Sequence, residues 1–338
     1  MPPEPRPRAW FRTASLALLT GALVPPAASA QSPSNGPLTY EEGSPLQRVS
    51  YTAMMEGAEL VGRGRVVGEL WLGLSNIFEQ DSSATHVLFL DLERLTTALT
   101  VRWGVTDRLE LGGRLVMETT GPGVLDGFIV AWHDALGFGQ ANRDRFPEGM
   151  YEQRLEDGAG TVFLDVPPRT LGFEGARVFA KWEAARSADR RDLLSVSAAL
   201  RIPGGSNLVA DERADVALTA LGRVGLSERW HLHGMLGAST VRASPELAPI
   251  LARASTFFGL AVERSFGGVS AVAQYQVQSA VLDAFDHREL DTFASNVVLG
   301  ASGRMGERWR WDASFQEDLP ADTPAIDFTL GLRVSRSW

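Results

Sequence analysis

The five histidines, His86, His133, His231, His233 and His287, are the residues best suited to proton transfer or metal binding. His231 and His233 are two apart and share one strand face with Met235, a spacing that could hold a metal ion. No third ligand lies within sequence reach, so interior packing is the preferred reading. Asp126 and His133 are seven apart and project from similar faces of a helix, with Asp134, Arg143 and Asp144 nearby. This group could be a solute or ion site on an inward helix face. It could equally cap the helix and pin a loop through salt bridges. The second reading is favoured, because Asp126 falls near the helix start, where a carboxylate is stabilising.

A larger set of charged residues recurs at every second position. Arg102, Glu110, Arg114, Glu118, Arg177, Lys181, Arg201, Arg223, Arg304, Arg310 and Arg333 all fall in the polar phase of an alternating pattern. If the pattern closes into a barrel, they line its interior. Such a lumen would be tied together by ion pairs or would filter polar solutes.

The elements that carry these residues are strands. From Val66 onward the chain alternates with period two. Near the end, Ile326, Phe328, Leu330, Leu332 and Val334 share one face, and Asp327, Thr329, Gly331, Arg333 and Ser335 share the other. Twelve such segments are expected, at 66–76, 86–105, 108–119, 173–187, 192–203, 213–225, 229–240, 255–265, 269–280, 294–304, 309–318 and 326–337. Most have the length needed to cross a bilayer at a tilt. The second is too long for that and is expected to stand above the membrane.

Short turns alternate with longer links at 77–85, 120–172, 204–212, 241–254, 281–293 and 319–325. Such alternation is that of a transmembrane antiparallel up-and-down β-barrel with both termini periplasmic. Trp103, Trp182, Trp230, Trp309 and Trp338 gather at the short-turn ends in the apolar phase, which suits one membrane interface. The last strand, ending in Trp338, looks like the segment by which barrel-assembly machinery recognises an outer-membrane protein. Outer-membrane lipid is the other expected partner.

Residues 1–30 read as a signal peptide. Arg6, Arg8 and Arg12 precede a short apolar run, and Ala28-Ser29-Ala30 offers a cleavage site after Ala30. Residues 31–60, rich in Pro, Ser and Gly, are expected to be a periplasmic or lumen-inserted extension; residues 61–338 form the barrel. The formal charge is −9, and removal of three Arg and one Glu leaves −11, which argues against nucleic acid. There is no cysteine, so neither a disulfide framework nor a thiol nucleophile is available. Past residue 30 no run of apolar residues is long enough for a transmembrane helix.

The 120–172 link contains one convincing helix, with Leu125, Phe128, Ile129, Trp132, Ala135 and Leu136 at helical spacing and Gly137 as a stop. It is expected to act as a constriction, plug or lid. Val124-Leu125-Asp126-Gly127-Phe128-Ile129, Trp132-His133-Asp134-Ala135-Leu136-Gly137 and Asn142-Arg143-Asp144 resemble a segment of the domain of unknown function 3187 family, exported barrel proteins. The resemblance implies an outer-membrane barrel and supplies no activity, cofactor or catalytic residue. Passage of small solutes through a narrow charged lumen is therefore the first expectation. A non-conducting structural or surface-binding barrel is the second. A barrel enzyme such as a phospholipase comes third, since no His-x-Ser-Asn-Gly arrangement is present. No cofactor is expected.

Overall fold

The computed structural model describes residues 34–338 apart from 53, 84, 138–142, 205–212, 243–250, 283–290 and 320–325. The expected signal peptide lies outside the described residues, as do most of the links at 204–212, 241–254, 281–293 and 319–325.

Along most of the strands apolar side chains are exposed at every second position, and those between are buried, many of them polar. On β10 (Ala254–Ser265) exposure and burial alternate without a break. Phe258, Leu260 and Val262 face outward, while Glu263 is fully buried. A water-soluble β-protein does the reverse. This inversion is stable only when lipid meets the outer face and the sheet has no open edge.

The strands meet that requirement. In chain order they are β1 (Val66–Ser82), β2 (His86–Gly104), β3 (Leu109–Gly121), β4 (Glu152–Asp157), β5 (Val162–Asp165), β6 (Arg169–Arg186), β7 (Leu193–Pro203), β8 (Asp215–Gly225), β9 (Trp230–Thr240), then β10, β11 (Val269–Gln278), β12 (Ala294–Met305), β13 (Trp309–Asp318) and β14 (Phe328–Ser337). Twelve of them, all but β4 and β5, pair antiparallel with their neighbours around a closed ring. Closure is made by β1, which pairs Leu72 with Leu332 of β14 on one side and with Thr97 of β2 on the other. The fold is the twelve-stranded antiparallel barrel of outer-membrane proteins.

The sequence-expected strands all appear, with three differences. First, β1 runs to Ser82 and stays paired with β2 as far as Val87, so most of the expected 77–85 link is strand. Second, the 120–172 link holds a β-hairpin as well as its helix. β4 adds to the projecting half of β2, Asp91 opposite Glu152, and β5 adds to β4. Its sequence, Glu152-Gln153-Arg154-Leu155-Glu156-Asp157, is too polar to announce a strand, and the exposed edge of β2 supplies the hydrogen bonds that make it one. Third, β6 begins at Arg169, earlier than expected. The helix α1 spans Asp126–Leu136. It ends on Gly137, whose positive φ of 74° closes it in the left-handed manner that glycine accepts. Trp103, Trp182, Trp230, Trp309 and Trp338 are all exposed.

Candidate functional site

The inside of the barrel is occupied by residues 34–61 of the same chain, hereafter the plug. Pro37 and Pro45 interrupt its ladder-forming capacity; among the described residues its internal backbone pairs are confined to the turn at 44–50, and elsewhere its backbone groups need other partners. The inward face supplies them. At the short-turn end of the barrel Glu263 accepts hydrogen bonds from the Asn35 amide (2.7 Å) and the Ser34 hydroxyl (2.7 Å). Higher up, Gln274 accepts from the Leu38 amide (3.2 Å), and Asn296 donates to Glu42 (2.7 Å). Arg94 donates to the Gly43 carbonyl, where the segment turns. Arg201 donates to the Arg48 carbonyl (2.9 Å) and Arg177 to the Thr52 carbonyl (3.1 Å). The descending limb is held by Lys181 on the Gly57 carbonyl (3.3 Å), Ser195 on the Ala58 carbonyl (2.6 Å) and Glu110 on the Val61 amide (2.6 Å). The plug thus rises along β10–β12, crosses over, and returns along β6, β7 and β3 to the mouth from which it started.

Ion pairs and apolar packing reinforce this seat. Arg48, at the crossing, pairs with Glu174 and lies 3.6 Å from Glu118. Glu41 pairs with Arg114 at 2.6 Å. Glu41 belongs to the plug and not to a spanning strand. Burial alone would raise its carboxyl, but the guanidiniums of Arg114, Arg177 and Arg48 outweigh that and hold it at about 2. Leu38, Tyr40, Tyr51 and Met55 of the plug form one buried cluster with inward-facing Phe179, Leu221, Met235 and Phe257. An apolar half of the lumen was not foreseen from the alternation, which marks inward positions as polar and gives no warning of a second surface to be packed inside.

Most of the sequence-expected lumen residues face inward. Glu110, Arg114, Glu118, Arg177, Lys181 and Arg201 are buried. Arg102 bridges to Glu69 (2.7 Å), and Arg333 joins Glu69 (3.1 Å) to Asp312 (2.6 Å), tying β1, β2, β13 and β14 together. Arg223 pairs with Glu59 of the plug, and Arg310 donates to the Asn35 carbonyl. Arg304 is exposed at the mouth, with its Nε 3.4 Å from the Asn35 side chain. The inward charges therefore serve two jobs, strand-to-strand pairing and gripping the plug. One cavity, of about 60 Å³, lies beside Arg102, Arg114, Arg177, Arg333, Glu56 and Glu69. That is room for a few water molecules.

The candidate helix group lies elsewhere. α1 packs against the outside of the wall near its extracellular edge, over β13, β14 and β1, and not in the lumen. Phe128 meets Phe328 and Trp132 meets Phe315, both on outward-facing strand positions. Asp126 accepts from Asn76 (2.9 Å), Arg143 (2.9 Å) and the Gly149 amide (2.8 Å), and Arg143 continues to Asp327 at 2.6 Å. His133 lies 3.2 Å from Glu317. Asp126 and His133 are thus brought to the same wall with different partners, Asp134 is exposed, and the side chain of Asp144 lies outside the described residues. The expectation of an inward helix face is corrected: Phe128 and Trp132 find their aromatic partners on the outer phase of the strands. His233 pairs with Glu263 at 3.0 Å beneath the plug, and His231 is buried beside it.

This architecture has a solved counterpart. An outer-membrane channel from Pseudomonas putida F1, of the COG4313 group, superposes with a TM-score of 0.57 at 14% identity, over 83% of this chain and 98% of that one. CymD, a monoaromatic hydrocarbon channel, gives 0.40 at 10% identity over 82% and 88%. NanC porin gives 0.46 at 8% identity over 80% and 98%. At these identities the likeness is one of fold, and the last two superpose too loosely to carry an argument. No curated protein matches the chain. A model of the family described as "Protein of unknown function (DUF3187)" matches residues 14–336, nearly the whole length, and the chain belongs to that family.

Proposed function

We propose that this chain is an outer-membrane channel for small polar solutes, held closed in the described state by its own plug. The observation that carries this reading is the way the lumen is filled. The plug is retained by hydrogen bonds, ion pairs and one apolar cluster rather than by strand pairing, and water can replace the polar part of that seat at modest net cost. It starts and ends at the periplasmic mouth, so the ascending limb can leave without breaking the barrel. Twelve strands enclose a small lumen once emptied, wider than the filled interior of an eight-stranded barrel.

Planar-bilayer recording of the intact chain and of a variant lacking residues 34–60 tests this directly. The intact chain is expected to show little conductance or brief events, and the deletion variant a stable, larger conductance. A deletion variant that folds, as judged by heat-modifiable mobility, yet carries no current would overturn the channel reading.

A further inference from the structure

We infer that the cavity beside the plug is a binding site for a small oxyanion, either a carboxylate group or an inorganic oxyanion, and that Arg177 is its principal ligand. Strand register makes the first part of the case. Arg114 of β3 stands opposite Arg177 of β6, and Arg177 stands opposite Arg201 of β7. All three point inward and are buried. Like charges at opposed positions repel, and burial strengthens the repulsion. The flanking two are compensated, Arg114 by Glu41 at 2.6 Å and Arg201 by Asp215 at 3.2 Å. The middle one feels Glu41 only through space and has no ion pair of its own. Among the described residues no carboxylate lies within 4.0 Å of Arg177; its Nη2 donates to the Thr52 carbonyl and its guanidinium lies over the Tyr51 ring, 4.2 Å from the centroid.

The second part is the donor left over. Arg177 is more than nine-tenths buried, and its Nη1 is buried with no hydrogen-bond partner among the described residues. A buried charged donor in that condition is costly unless something absent from the protein satisfies it. Arg177 lines the cavity, whose wall carries four arginines against two glutamates. Guanidinium donors favour planar or tetrahedral oxyanions over other ligands. As a statement about the class of solute, this rests on the channel reading. As a statement about the site, it does not.

Crystals of the full-length chain soaked in bromide give a readout that needs no current to flow. Anomalous difference density within hydrogen-bond reach of Arg177 Nη1 is expected, and its loss in Arg177→Gln. A wild-type map with no peak there overturns the site. A peak that persists in the variant removes Arg177 as the ligand and overturns the assignment. The wild-type map decides the first point even if the variant does not fold. Sodium formate and inorganic phosphate, added separately, identify the source: loss of bromide density with formate marks a carboxylate site, with phosphate an inorganic oxyanion site. Displacement by neither overturns the oxyanion class. Bromide seated at Arg177 with a silent plug-deletion variant would leave the site standing while the channel reading fails.

Discussion

Arg48 shows what single residues do inside this barrel. Its guanidinium pairs with Glu174 and faces Glu118, and its carbonyl accepts from Arg201, so one residue at the crossing of the plug contacts two regions of the wall. Removing one member of a buried pair leaves the other charged and unsatisfied, at a cost of about 3–5 kcal/mol. Arg48→Ala is therefore expected to loosen the crossing of the plug by roughly 3 kcal/mol, with the barrel intact. Limited proteolysis in detergent checks this: cleavage within residues 44–52 is expected to become fast while the barrel core survives, and an unchanged cleavage rate would refute the role. At this scale the sequence is half legible. The alternation puts Glu118, Arg177 and Arg201 inside, but nothing in it pairs Glu174 with a residue 126 positions earlier.

At the scale of elements, α1 was readable and its location was not. Helical spacing of Leu125, Phe128, Ile129, Trp132, Ala135 and Leu136 identifies the helix, but a stripe does not say which surface it will cover. The wall carries the clue. On β1 the outward positions run Leu70, Leu72, Leu74 and then Asn76; on β13 they run Ala313, Phe315 and then Glu317. Where apolar gives way to polar, the wall is covered by protein and not by lipid. Asp126 holds that cover in place through Asn76, Arg143 and Gly149. Asp126→Ala is expected to release residues 122–150 from the wall, leaving Arg143 without its shorter-range anchor on the helix, at about 3 kcal/mol for a broken buried pair. Trypsin then cuts at Arg143 or Arg145, and the melting of the barrel strands by circular dichroism stays where it was. A cover that resists trypsin as before would show that the aromatic contacts alone retain it.

For the whole molecule, the governing fact is the inverted distribution of polarity. Leu299, Leu330 and Leu332 are exposed on the outside, while Lys181, Glu263 and Asp312 are fully buried. Leu332 sits mid-strand on β14, opposite Leu72 and Ala313. Leu332→Arg is expected to cost about 2–4 kcal/mol, the penalty for a cation facing lipid near the midplane. Reversible urea unfolding in lipid vesicles measures it. A change below roughly 0.5 kcal/mol, the usual scatter of surface substitutions, would mean that this face does not meet hydrocarbon.

Taken by itself, the sequence determined which residues face in and which face out, how many strands the barrel has, and which ends carry the tryptophans. These follow from side chains alternating along an extended backbone, a property of neighbours in the chain. What occupies the lumen was decided only by tertiary structure. Residues 34–61 have no periodicity to read, because their polar groups are satisfied one at a time by side chains on strands from β2 to β13. The same holds for Arg177: its phase is local, but that no ion pair reaches it among the described residues is a fact about every strand and limb that could have supplied one.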